Sequence, residues 1–260
     1  VKKWLSEILK RPITKRQVLY ASMMLIGAFF AAAALRMILS DTMEDTAARV
    51  EYLQLREAFP EVSRQPVLVE DEDEEIIPEE EEDEFDLRNL SLDELAAINR
   101  DFIGWINAGN AIDYPVVRGN DNTRYIDITF FGSRNSAGTI FMDYRNSGGF
   151  DEHVAILYGH FTRDGSMFSA LINYLNPGYR RSNPNINITT RDGRNLTYRV
   201  FAAVLTDAWD NAYTVGIRDS SKAAETFPDA PNSASRFLLL STCTRSRDEN
   251  ERVLVFAALS

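Results

Sequence analysis

The chain has 260 residues, enough to bury a sizeable core, with one cysteine, two histidines and a net charge of −11. That charge is local: residues 70–86 carry 13 acids and no base, while from residue 87 onward 18 Lys and Arg face 19 Asp and Glu. The near-neutral remainder excludes the basic patch of a nucleic-acid-binding protein, one cysteine excludes an internal disulfide, and one Cys with two His cannot build a tetrahedral zinc site.

Residues 18–35, VLYASMMLIGAFFAAAAL, contain no charge. As a helix they would span about 27 Å, close to the roughly 30 Å of bilayer hydrocarbon. Lys2, Lys3, Lys10, Arg11, Lys15 and Arg16 precede this stretch, and Asp41, Glu44 and Asp45 follow it. The basic flank belongs on the cytoplasmic side. The expected division is therefore a cytoplasmic basic segment over 1–17, a transmembrane anchor over 18–36, a juxtamembrane segment and acidic disordered spacer over 37–86, and an extracellular domain over 87–260. The Ala-rich end at Ala31 to Ala34 leaves a cleaved signal peptide as the competing reading. Residues 37–69 continue with a helix-permissive pattern toward Pro60 and Pro66. Like-charge repulsion keeps the acidic run that follows solvated and extended.

The folded part opens with SLDELAAINRDFIGWINAG. Ser91 and Glu94 have capping-box spacing, and Leu92, Leu95, Ile98, Phe102 and Trp105 recur every three or four residues, which predicts a helix or helix pair. The period then changes. IDYPVVRG, YIDITFF, GTIFMDY, HVAILYGH, NINITTRDGRNLTYRVFAAVLT, FLLLSTC and RVLVFAAL are short, rich in Val, Ile, Phe and Tyr, and separated by Gly, Asn, Asp and Pro. The Asp-Gly of RDGR, Arg191 to Arg194, marks a hairpin turn. Such spacing predicts a mainly β domain, a closed or nearly closed barrel. Helical inserts are expected at Ser166 to Leu175 and at Asp219 to Phe227.

The candidate chemistry lies at strand ends. A lone cysteine is in most proteins a small buried hydrophobe, but in an exported chain a leftover thiol is either intermolecular or reactive. Cys243 ends the strand FLLLSTC, His160 ends VAILYGH, and Arg252 heads RVLVFAAL. His153 reads as an exposed loop residue. A thiolate nucleophile, an imidazolium that donates to a leaving amine and a guanidinium that stabilises an oxyanion are the parts of a thiol acyl-transferase. A cysteine peptidase with water as acceptor uses the same Cys and His, and a non-catalytic tethered binding domain would leave Cys243 as core.

LSTCTRSRDENER resembles the active-site segment of sortases, with Leu239 or Leu240 in place of a threonine. YGHFTRDGSMF resembles the histidine motif of class B sortases, with Phe161 in place of an asparagine. IDYPVV and GTIFMDYRN are similar to the class B amino-terminal region. The resemblance covers about residues 90–260. It implies a closed eight-stranded sortase-type β-barrel with an N-terminal helical extension, a helix in the loop before the cysteine strand and a preceding transmembrane helix. It also implies that Cys243 is the nucleophile, His160 the general acid and base, and Arg252 the oxyanion and positioning residue, with Ser241, Thr242 and Tyr158 in the substrate groove. No cofactor or metal is implied. The partners implied are secreted proteins with a C-terminal sorting signal and an amine acceptor on a peptidoglycan precursor or a pilin.

Overall fold

The computed structural model describes residues 15–59, 90–215, 227, 230–231, 234–246 and 248–260. Two compact units divide between Thr46 and Ala47, within the long helix α1 (Lys15–Ala58). In the first unit, Met24, Leu25 and Phe29 are each at least 70% exposed. Among the described residues no helix is long and apolar enough to cross a membrane, so the transmembrane element expected over 18–36 is not found among them. Several side chains of that stretch lie outside the described residues.

The second unit is a closed barrel of eight strands: β1 (Phe102–Ala108), β2 (Ile112–Val117), β3 (Ile140–Met142), β4 (Val154–Tyr158), β5 (Asn185–Thr190), β6 (Asn195–Asp207), β7 (Phe237–Cys243) and β8 (Glu251–Leu259). Their order around the barrel is β1-β2-β3-β4-β7-β8-β6-β5, with β5 returning to β1. Closure leaves no open sheet edge. β2 runs parallel to β3 and β4 parallel to β7; the other pairs are antiparallel. The expected hairpin turn lies between β5 and β6, and Gly193 supplies its one left-handed residue, at φ +83°.

Three expectations change. The predicted helix is shorter: α2 (Leu92–Ile98) carries the full capping box, with Ser91 N–H donating to Glu94 Oε2 at 2.7 Å and Glu94 N–H to Ser91 Oγ at 3.3 Å. It stops at Asn99. Phe102 and Trp105 belong instead to β1, where a bulge between Phe102 and Gly104 shifts the register and gives two buried residues a helix-like spacing. YIDITFF does not form a barrel strand: it holds a 3-10 turn at Arg124–Ile126 and a single bridge, Ile128 to Arg134. Tyr125 is held there by its hydroxyl, which donates to Asp101 at 2.7 Å. The insert after β4 is a 3-10 helix, Ser169–Leu175, followed by α3 (Pro177–Ser182). The helix expected over 219–227 lies outside the described residues except for Phe227, which is buried among Phe237 and Phe256.

The third change concerns where the folded unit starts. It begins at Ala47, not near residue 87. Ala48, Tyr52, Leu55 and Phe59 recur at helical spacing and are all buried in the main core. Phe59 packs on Trp105 at 4.8 Å, and Tyr52 meets Tyr114 edge-on at 5.4 Å. Arg56 Nε donates to Asp113 O at 2.9 Å. The helix ends where Pro60 disfavours helical backbone in the residue before it. Leu90 N–H then donates to Ala58 O at 2.6 Å, so the described residues on either side of 60–89 meet at one place.

Candidate active site

Strand periodicity builds the site. Successive side chains on a strand point to opposite faces. On β7, Leu238 and Leu240 belong to the barrel core, while Phe237 and Leu239 belong to a second cluster on the outer face. The same outer cluster takes Val154, Ile156 and Tyr158 from β4, and Leu254, Phe256 and Ala258 from β8. Extending each row by its period of two arrives at His160, Cys243 and Arg252. The strands are neighbours in the order β4-β7-β8, with Tyr158 opposite Ser241 and Cys243 opposite Arg252. Cys243 is exposed and free.

All three residues line one cavity of about 400 Å³, together with Tyr158, Ser241 and Thr242. Every site residue expected from the sequence is therefore on this cavity. His153 is not: it precedes β4, at the opposite end of that strand, and its Nδ1 bonds Ser235 O at 2.6 Å. A larger cavity of about 730 Å³ shares no lining residue with this one and is lined by neither cysteine nor histidine.

His160 is anchored by Nε2, 2.6 Å from the Ile126 carbonyl oxygen. A carbonyl only accepts, so Nε2 carries the hydrogen, and Nδ1 has no protein partner among the described residues. Gly159, just before it, permits this path: a Cβ there would lie 2.5 Å from Ile140 Cδ1 and 2.7 Å from the Phe168 ring. Arg252 is tethered at one corner only, Nη1 donating to Glu249 O at 2.6 Å and Glu251 O at 2.9 Å. It has no carboxylate partner among the described residues, so the rest of the fork stays available to a substrate oxygen. Phe161 has a packing role, with the Arg245 guanidinium 5.4 Å from its ring centroid. Arg245 Nη2 also donates to Arg163 O at 3.0 Å, which ties the loop after the histidine to the loop after the cysteine.

Four residues on or behind the cavity escaped the sequence reading: Tyr213, Arg145, Asp143 and Asn122. Tyr213 stacks on Tyr158 at 6.1 Å and bonds Ser241 Oγ through its hydroxyl at 2.7 Å. Burial raises the Tyr213 pKa above the usual tyrosine value, so the phenol is neutral at physiological pH. Arg145 lines the cavity and grips Asp143 with two parallel bonds of 2.9 and 2.8 Å. Tyr158 donates its hydroxyl to the same carboxylate at 2.9 Å. Burial pushes the Asp143 pKa up, but the hydrogen bonds from Arg145 and Tyr158 outweigh it and the net shift is downward. Asn122 lines the cavity and accepts Tyr144 N–H at 3.0 Å. The Asp-x-Arg spacing of MDYR was the only available signal for the Asp143–Arg145 pair; Tyr213 sits in a loop and left none.

The arrangement supplies a solvent-accessible thiol, an imidazole fixed through one nitrogen and a partly free guanidinium, at the rim of an aromatic-walled groove. Comparison with known proteins gives matches of the same kind. The Sortase domain family profile matches residues 106–260. Sortase B of Staphylococcus aureus is 26% identical over 262 residues, covering 96% of this chain and 97% of that protein. The solved Staphylococcus aureus sortase B–substrate complex superposes with a TM-score of 0.58 at 27% identity, covering 65% of this chain and 84% of that one. A Streptococcus pyogenes class B sortase involved in pilus biogenesis superposes at 0.57 with 28% identity, covering 65% and 97%.

Proposed function

The chain belongs to the sortase family of cysteine transpeptidases, with class B relatives, and on that premise we propose that it joins secreted proteins to an amine acceptor at the outer face of the cell membrane. The observation that carries this reading is the convergence of Cys243, His160 and Arg252 on one cavity. The Cys243 thiolate attacks a Thr carbonyl in a C-terminal sorting signal, forming the C–S bond of a tetrahedral intermediate. Arg252 donates to the developing oxyanion, where preorganised donors are most effective. The His160 imidazolium gives its proton to the leaving amine as the C–N bond breaks, leaving a thioester and a neutral imidazole. An incoming amine then attacks the thioester, His160 takes its proton, and the thiolate departs.

The chain is anchored with its N-terminus in the cytoplasm and its barrel outside. The support is the uncharged stretch 18–35 between a basic and an acidic flank. The acceptor amine belongs to a peptidoglycan precursor, and the Streptococcus pyogenes relative keeps a pilin acceptor as the second reading. The test is to incubate the full chain with a peptide library and an amine, then sequence the adducts by mass spectrometry. A thioacyl adduct on Cys243 and an amine-ligated product are expected, both absent in Cys243→Ala. Hydrolysis without ligation would make the protein a cysteine peptidase, and no adduct at all would make it a binding domain.

A further inference from the structure

The larger cavity, about 730 Å³, lies toward the ends of β4 and β7 remote from the thiol. Asp151, which precedes β4, and Arg236, which precedes β7, form an ion pair there at 3.1 Å. Four arginines line the cavity: Arg100, Arg118, Arg191 and Arg194. Backbone bonds bring three of them to one end of adjacent strands. Arg118 N–H, just after β2, donates to Asp101 O at 2.8 Å, and Arg191 N–H, just after β5, donates to Ile103 O at 3.0 Å. Arg100 immediately precedes that segment of β1.

The cavity also holds three aspartates, and each is already engaged. Asp101 accepts the Tyr125 hydroxyl at 2.7 Å and lies 3.6 Å from Arg124. Asp151 binds both ends of the Arg194 fork, at 2.7 and 3.0 Å, and Asp192 takes Arg194 Nε at 2.8 Å. Arg194 is thus neutralised, whereas Arg100, Arg118 and Arg191 have no carboxylate partner among the described residues. Arg118 spends one N–H on the Asn146 carbonyl at 2.6 Å; the side chains of Arg100 and Arg191 bond nothing among the described residues. Like charges held at one end of three neighbouring strands repel one another unless an anion lies between them. The guanidinium fork matches phosphate oxygens bidentately.

We infer that this cavity is a phosphate-binding site, separate from the thiol groove, that takes a phosphate ester through Arg100, Arg118 and Arg191, with Phe102, Ile103 and Phe150 also in its lining. Three cations without a carboxylate partner among the described residues favour a phosphate over a carboxylate, because a phosphate offers more acceptor oxygens and more charge to several guanidinium forks. The same chemistry is offered by a soluble phosphate ester and by a phospholipid headgroup.

The experiment is calorimetric titration of the full chain in a non-ionic detergent at low salt, with glycerol 3-phosphate in one arm and dihexanoyl-phosphatidylglycerol in the other. Saturable one-site binding of at least one probe is expected. Arg100→Gln/Arg191→Gln should weaken it at least about tenfold, the effect of losing one good charge-assisted contact, and Cys243→Ala should leave it unchanged. Because those two arginine side chains hold no bond among the described residues and their charges repel, the double variant should melt no lower than wild type without probe. Binding of glycerol 3-phosphate assigns a soluble ester, and binding of the lipid alone assigns a headgroup. Absence of saturable binding with either probe up to concentrations on the order of 10 mM, or less than tenfold weakening in the folded double variant, overturns the proposal.

Discussion

Arg252 and Lys carry the same charge, yet the guanidinium keeps two N–H bonds on its own loop through Nη1 and still presents the rest of a fixed planar fork to substrate, which an ammonium lacks. Arg252→Lys should therefore lower turnover by roughly 10²–10³, the effect of one lost oxyanion donor, with peptide KM changing less; saturating kinetics on a peptide and amine pair measure it. Near-full kcat would reduce Arg252 to a bystander. The buried Asp143 makes a different prediction. Its folded pKa is lowered from 3.8, so it stabilises the fold fully above the unfolded value and loses that contribution as pH falls through the folded one. Asp143→Asn should cost about 1–3 kcal/mol near neutrality, and the gap from wild type should close below pH 3.8, where the carboxylate would protonate. Urea unfolding of both proteins across this range shows it; a pH-independent gap would mean that the ion pair contributes nothing.

The elements explain why the site residues can sit at strand ends without harming the barrel. β7 is buried on both faces from Phe237 to Thr242 and only Cys243 emerges, so the packing that positions the thiol is complete before the thiol is reached. The C-terminal part of α1 contributes to the same stability from outside the strand order. Leu55 is fully buried against the barrel core, and Leu55→Ala should cost about 2–5 kcal/mol by leaving a cavity. Denaturant midpoints of the full chain decide this: a cost below about 0.5 kcal/mol, the range of surface substitutions, would show that α1 is only tethered. At this scale the sequence was partly misleading. Helix-like spacing of Leu95, Ile98, Phe102 and Trp105 crossed a helix end, a turn and a bulged strand, because burial on a bulged strand loses its period of two.

At the scale of the molecule, the described chain on either side of the acidic run is joined by a hydrogen bond, Leu90 N–H donating to Ala58 O. Removing residues 70–86 should leave both peptide turnover and melting temperature unchanged, since a run of 13 acids repels itself and offers almost nothing to bury. A fall of several degrees in melting temperature would show that it docks on the barrel.

The sequence by itself determined the β-rich class, the strand run-ins to Cys243, His160 and Arg252, and the Ser91–Glu94 cap, because period, turn chemistry and capping are set by residues close in the chain. The motif resemblance supplied the eight-stranded barrel and the roles proposed for the three site residues. Only the tertiary structure decided that β4, β7 and β8 are neighbours, so that three outward rows end on one cavity. It also revealed Tyr213 and the Asp143–Arg145 pair behind that cavity, the return of Leu90 to Ala58, and the entry of α1 into the core. Each of these joins residues through space, by a hydrogen bond or a buried ring that no local pattern in a single sequence encodes.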